Sequence, residues 1–302
     1  MSRDGARPAT NRITVWPRGI DVQDRINDGT FDVVDVATGS SGTLTTPDNY
    51  TRVDSPSGGI EQLIFAPQGP LAAPAARRAL ALCTPRDQLA GNAEVPISDA
   101  RLNPVTDNSL SQAEVVAEGG QFAVSNPDAA RAALDNKPLS VRIAYQTPNA
   151  RLAAAVGAIA RACAPAGITV ADVASDVTGP QSLRNGDIDA LLASTGGATG
   201  SGSTGSSDID AYAFFTGNGN NLPGYGNGRV DGVISALAVT VDPKEQVRLI
   251  GEGAPLLWAD MPTLPLYRQQ RTLLTSKEMT AVCGSPARWG AGWNMDRWSL
   301  GK

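Results

Sequence analysis

A chain of 302 residues with 41% hydrophobic content is long enough for one large domain or two ordinary ones, each with a real core. Its net charge of −5 gains nothing from counterion release, so nucleic acid is not an expected partner. Histidine is absent, which excludes Ser-His-Asp and Cys-His nucleophile chemistry, the commonest general base near neutral pH and most zinc sites.

The first elements fall between residues 11 and 36. Arg12-Ile13-Thr14-Val15-Trp16 reads as a short strand, the apolar positions Ile20, Val22 and Ile26 as a short helix, and Phe31 to Val36 as a second strand. Residues 37–60, rich in Gly, Ser, Thr and Pro, read as loop. Glu61-Gln62-Leu63-Ile64-Phe65-Ala66 is a strand, followed after Gly69-Pro70 by a helix from Pro74, because proline suits a first helical turn. That helix places Ala76, Leu80 and Cys83 on one face and Arg77, Arg78 and Arg86 outward, with Pro85 kinking it or starting a new one. Residues 91–127 read as irregular.

From 138 to 193 the pattern is strand (Leu139 to Tyr145), helix (Pro148 to Cys163), strand (Ile168 to Val173), short helix (Pro180 to Arg184) and strand (Asp187 to Ala193). That order with short links predicts a parallel α/β layer. Gly196 to Ser207 is a Gly/Ser/Thr tract expected to stay mobile. Helices are expected near 228–239 and 243–259, the second weakened by Gly251, Gly253 and Pro255. Edge strands are expected at Thr263–Arg268 and Arg271–Leu274. Cysteines stand at Cys83, Cys163 and Cys283, too far apart for a CxxC site. Buried free thiols and one disulfide are both open; the pair expected if a bond forms is Cys83–Cys163, on apolar helix faces of one lobe, leaving Cys283 unpaired. No signal peptide, lipid-attachment cysteine or membrane-spanning run is present.

Several short stretches resemble, in order, the family 5 extracytoplasmic solute-binding proteins, the peptide-, nickel- and glycoside-binding subunits of ABC importers. The Gly69 to Asp87 stretch looks like the family's Arg-x-Ala helix, with Thr84-Pro85-Arg86-Asp87 where Ile-Asp-Arg is usual. Ala166-Gly167-Ile168-Thr169-Val170 resembles its Gly-Ile-x-Val turn, and Asn185-Gly186-Asp187-Ile188-Asp189-Ala190 its Gly-Asp-aromatic-Asp strand. Gly224-Tyr225-Gly226-Asn227-Gly228-Arg229-Val230-Asp231 resembles its Gly-Tyr-x-Asn segment, and Met261-Pro262-Thr263-Leu264-Pro265-Leu266-Tyr267 its Pro-Leu-Tyr crossover. Less securely, Asn27 to Val33 resembles a strand near the end of the family's first half.

The resemblance implies an α/β fold: a solute-binding-protein lobe of the periplasmic binding protein type II kind plus part of a second lobe. It implies a partial first lobe at 1–69, a major α/β lobe at 70–260 and a return segment at 261–302 packing on the first lobe. It also implies a C-terminal fragment of an extracytoplasmic cell-envelope lipoprotein whose anchor lies outside this chain, with no catalysis, no metal and no cofactor. One departure bears on the ligand. Peptide-binding members carry Trp-x-x-Asp-Tyr-x-Asp-Pro after the Gly-Asp-x-Asp strand; here Ser194 to Ser207 occupies that place, followed by Asp208-Ile209-Asp210-Ala211-Tyr212. A peptide ligand is therefore disfavoured, and the branch of the family concerned with mycobacterial phosphatidylinositol mannosides is the nearest resemblance. The expected ligand is a small molecule or glycolipid, with an ABC permease or a membrane glycosyltransferase system as partner. A peptide-binding importer subunit, or a regulator that kept the fold without its ligand, are the alternatives. Candidate ligand-binding residues are Asp208, Asp210, Tyr225, Tyr267, Arg268 and Trp293. The same aspartates lack a calcium-loop pattern. The tryptophans Trp289, Trp293 and Trp298 suit either a sugar face or lobe packing.

Overall fold

In a computed structural model, residues 14, 22–37, 44–90, 102, 119–195, 211–219, 221–284 and 291–300 are described. The chain forms two compact units. One takes residues 1–58 and 269–302; the other is the continuous stretch 59–268.

Among the described residues of the continuous unit, the strands run in the order β6-β2-β5-β3-β4. They are β2 (Tyr50–Phe65), β3 (Leu139–Ala144), β4 (Ile168–Asp172), β5 (Ala190–Thr195) and β6 (Thr263–Ser276). β3 pairs parallel with both β4 and β5, as the strand–helix–strand order predicts, while β5 runs antiparallel to β2. Side chains alternate across this sheet because strand geometry has a period of two. Leu63, Phe65, Val141, Ile143 and Leu192 enter the largest core cluster, with α2 (Pro74–Cys83) and α5 (Ala150–Cys163). Ile64, Ala144 and Leu191 point the other way, toward Leu183 of α6 (Pro180–Asn185). A third cluster joins α7 (Gly228–Val239) to α8 (Pro243–Asp260).

Local signals set the boundaries. Asn149 caps α5 by accepting the Leu152 amide at 3.2 Å. The helix therefore starts at Ala150, two residues after Pro148, rather than on it. Gly167 and Gly186 adopt positive φ, +79° and +77°, where a chain leaves a helical turn for β4 and β5. The Gly-Ile and Gly-Asp motifs are thus turn chemistry. Asp189, the second acid of the latter motif, is buried and accepts from the Arg142 amide at 2.7 Å and from its guanidinium at 2.8 and 3.1 Å.

The other unit contains α1 (Val22–Asn27), β1 (Val33–Ala37), the first half of β2 and the second half of β6. β1 pairs antiparallel with β6 from Val33 opposite Thr275 to Ala37 opposite Arg271. The Arg271 guanidinium donates to Asp35 across this ladder. A two-stranded ribbon, β7 (Met279–Thr280) with β8 (Ser299–Leu300), follows.

Three readings are corrected. Residues 50–60 are not loop: β2 begins at Tyr50, because Tyr50, Thr51 and Val53 favour extended backbone and a neighbouring strand satisfies it. The Thr272 hydroxyl donates to Asp54 there, so polar pairs replace the apolar alternation that marks a strand. The proposed edge strands at 263–268 and 271–274 are one strand, β6, whose second half is flanked by β1. Arg86 does not face outward; it is 0% exposed, on α3 (Arg86–Ala90), over the Trp258 ring at 5.8 Å. The break at Thr84-Pro85 ends the periodicity that placed it outside. Of the stretch read as irregular, 91–101 and 103–118 lie outside the described residues; at its end α4 (Pro127–Ala133) begins, capped by Asn126 and packed on α2.

Candidate functional site

Two polar clusters in the continuous unit hold the candidates that can be placed, Tyr267 and Tyr225. The first stands beside the positions where the chain enters and leaves the unit. Glu61 lies on β2 with the same parity as Leu63 and Phe65, so it faces the core and α5. It is 0% exposed. A buried carboxylate must be paired, and Arg151 in the first turn of α5 supplies the pair, with Nη2 2.5 Å from Oε2. Arg151 Nη1 donates to the Tyr267 hydroxyl, and the guanidinium lies 5.9 Å from that ring's centre. Burial works against the charge of Arg151, but Glu61 outweighs it and holds the guanidinium above its ordinary range. Burial, reinforced by the Glu61 charge, pushes the Tyr267 hydroxyl up to about 12 despite Arg151.

The second cluster fastens the segment that precedes α7. The Tyr225 hydroxyl donates to Asp260 Oδ2 at 2.7 Å and Asn227 Nδ2 donates to the same oxygen at 2.9 Å. Burial, then the bond to Asp260, raises the Tyr225 pKa. Asn221 clamps the segment from within, donating to the Phe215 and Tyr225 carbonyls at 3.0 and 2.6 Å and accepting from the Tyr225 amide at 2.9 Å. Arg77 closes the cluster from α2, donating to the Asp260 carbonyl at 2.7 and 3.0 Å and to the Leu71 and Ala72 carbonyls at 2.9 and 2.8 Å. It does not face outward as the helical pattern placed it but is half-buried on these carbonyls, and burial lowers its pKa.

Tyr225 and Tyr267 belong to separate clusters. Asp208 and Asp210 lie outside the described residues, as do the side chains of Arg268 and Trp293 and the tract 196–207. Trp298 is buried in the other unit, where its indole N–H donates to Asn294 Oδ1 at 3.0 Å, so it packs. Glu61, Arg151 and Asp260 were not singled out from the sequence. A charged residue on the apolar parity of the strand Glu61 to Phe65 was the available signal for the first; nothing local marks the other two.

Both clusters fix polar groups in place; neither joins a nucleophile to a base. Among the described residues, no group of three or more His, Cys, Asp or Glu is placed to hold a metal ion. No helix among them is long and apolar enough to cross a membrane.

The chain superposes on the periplasmic EDTA-binding protein EppA with a TM-score of 0.77 at 15% identity, over 93% of this chain and 57% of that one. NikZ from Campylobacter jejuni, solved with Ni(L-His), gives 0.73 at 15% identity, over 92% and 59%. The oligopeptide-binding protein AppA from Bacillus subtilis, solved with a nonapeptide, gives 0.70 at 15%, over 93% and 58%. The chain has the solute-binding-protein fold.

Its sequence relatives are mycobacterial. An uncharacterized lipoprotein of Mycobacterium tuberculosis is 64% identical over 298 residues, and one of Mycobacterium leprae is 63% identical over 300. The matches cover 99% and 98% of this chain and 54% of each relative, so the chain spans about half the length of the curated relatives it matches. No protein-family model matches the chain.

Proposed function

We propose that the chain is a ligand-binding, non-catalytic portion of an extracytoplasmic solute-binding lipoprotein. The observation that carries this reading is the superposition on solute-binding proteins over more than nine-tenths of the chain. The Cys83–Cys163 disulfide supports an extracytoplasmic setting, since such bonds persist in oxidising compartments. The lipoprotein names of the relatives support a lipid anchor. In this reading the two compact units are parts of two lobes, and an ABC permease is the partner.

The ligand we propose is a sugar-bearing head group rather than a peptide, with mannosylated phosphatidylinositol the specific candidate and a membrane glycosyltransferase system the alternative partner. A peptide's ammonium needs a rigid, buried carboxylate, because an unpaired charge in a closed cleft costs several kcal/mol. The place where peptide-binding members carry that carboxylate reads Gly196-Gly197-Ala198-Thr199-Gly200-Ser201-Gly202 here. Asp208, Asp210, Tyr225, Tyr267, Arg268 and Trp293 remain the candidate contacts.

Thermal unfolding of the chain with the soluble phosphatidylinositol mannoside head group, beside calorimetry with mixed tri- to pentapeptides, tests both levels. A rise in Tm with the head group and no heat with peptides is expected. Micromolar peptide binding overturns the ligand; no response to either favours a regulator that kept the fold without a ligand.

A further inference from the structure

The sheet of the continuous unit sends its connections to both faces. β3 is followed by α5, which packs on one face through Leu152, Val156 and Ile159; β4 is followed by α6, whose Leu183 packs on the other. β3 and β4 are parallel neighbours, with Ile143 opposite Asp172 at their carboxyl ends. Past those ends the chains stay joined for a few residues, Gln146 bridging to Ser175 and the Thr147 amide donating to the Ser175 carbonyl at 3.0 Å. They then part to opposite faces, and a crevice lies where they separate. In open α/β sheets such a point of reversal, outside the carboxyl ends of the strands, is where ligands are held.

Asp172 is exposed at this point, yet its carboxylate is not free to turn. Oδ2 accepts from the Tyr145 hydroxyl at 3.2 Å and Oδ1 from the Ala174 amide at 3.0 Å. Each oxygen keeps room for a second donor. The hydroxyls of Ser175 and Thr178 adjoin at 3.0 Å in the following loop. Val173 and Val177 of the same loop are 39% and 82% exposed, bare aliphatic surface beside a fixed acceptor. None of these residues is among the candidate contacts named above.

A sugar ring offers adjacent hydroxyls on its edge and C–H groups on its face, the complement of this arrangement. Hydrogen bonds to an ionised acceptor are about twice as strong as neutral ones. The same charge repels a phosphate or a carboxylate, and an ammonium gains little beside a carboxylate that stays in water. We propose that the crevice between the carboxyl ends of β3 and β4 is a sugar-binding site. Asp172 accepts from two adjacent ring hydroxyls, Val177 lies against the C–H face, and Tyr145 positions the carboxylate without touching the ligand. The proposal rests on the ligand reading above and deepens it: the sugar, rather than the phosphate, is what this unit holds.

The test is an amide NMR titration of the full chain with methyl α-mannopyranoside, inorganic phosphate and methylammonium in separate arms. Saturable shifts with the sugar alone, centred on residues 172–178, are expected. Asp172→Ala should weaken the sugar by about tenfold, the loss of charge-assisted hydrogen bonding. Val177→Asp, a change at an exposed side chain that leaves the fold intact, should weaken it as well. Sugar shifts at 172–178 without a Tm response to the phosphatidylinositol mannoside head group keep this site and overturn the glycolipid reading. A Tm response to the head group that both variants retain in full keeps that reading and overturns this site. Shifts at 172–178 with phosphate or methylammonium in place of the sugar, or none in any arm, also overturn it.

Discussion

Glu61 pairs with Arg151 and has no exposure to water. Replacing Arg151 with Met removes this counter-charge from a buried carboxylate, so a loss of about 3 kcal/mol is expected in denaturant unfolding. Arg151→Met combined with Glu61→Gln should recover part of that loss, and a double-mutant cycle measures how much. Strictly additive effects would show that the pair does not interact. Tyr267 gives the same cluster a pH signature. Its hydroxyl titrates near about 12 in the folded chain and near 10 when unfolded. Between those values the unfolded chain has released a proton that the folded chain still holds. The contribution is thus complete below pH 10 and is lost as pH rises toward 12, by about 2 kcal/mol. Tyr267→Phe removes this dependence. The difference between the two proteins, read from urea midpoints at pH 9 and 11.5, isolates it from other tyrosines; identical pH slopes would refute it.

Helix α8 shows how one element carries opposite demands. Gly251 is exposed, and a Cβ there would meet nothing within 4 Å, whereas a Cβ on Gly253 would stand 2.4 Å from Leu102 and 3.0 Å from Val233 of α7. Gly251→Ala should stabilise by about 0.5–1 kcal/mol through helix propensity. Gly253→Ala should destabilise by about 1 kcal/mol, because overpacking at α7 outweighs the same gain. Thermal melts of the two variants moving in the same direction would contradict the packing described. Elements α2 and α5 are joined by the disulfide, and Cys163→Ser should cost about 4 kcal/mol from the restored freedom of an 80-residue loop. A midpoint unchanged beyond error would show that the bond adds nothing.

The elements differ in how openly the sequence announces them. The helices α5, α7 and α8 and the strands β3 and β4 carry apolar periodicity between clear turn signals, and they lie where those signals put them. Whether a disulfide forms was left open by the sequence, but the pair that two apolar helix faces favoured, Cys83–Cys163, is the one formed. The first half of β2 was invisible because Arg52 pairs with Asp54 and Asp54 accepts from Thr272, so part of its stabilisation comes from a partner more than 200 residues away. Arg86 was misplaced because helical phase cannot be carried across a proline break. The clusters around Tyr267 and Tyr225 were half legible. The tyrosines stood in recognisable stretches, while their partners Arg151 and Asp260 come from elements distant in sequence.

On the scale of the whole chain, residues 59–268 hold their own core clusters and their own disulfide. Expressed alone, this stretch is expected to unfold in one cooperative transition with Cys83–Cys163 formed. In amide exchange, Ile143, Ile159 and Leu192 should be its slowest sites, since they lie at its centre. A fragment that exchanges uniformly within minutes would show that it depends on the rest of the chain.

The ladder between β1 and β6 has a consequence in time. Asp35 and Arg271, which join across it, are 236 residues apart. At a synthesis rate of about 5–20 residues per second, β1 waits roughly 10–50 s for its partner to leave the ribosome. Throughout that interval Val33, Val34 and Val36 form an unpaired edge able to pair with other nascent chains. Among the described strands β1 waits longest for its partner, which makes the newborn protein, rather than the finished one, the form most in need of a chaperone.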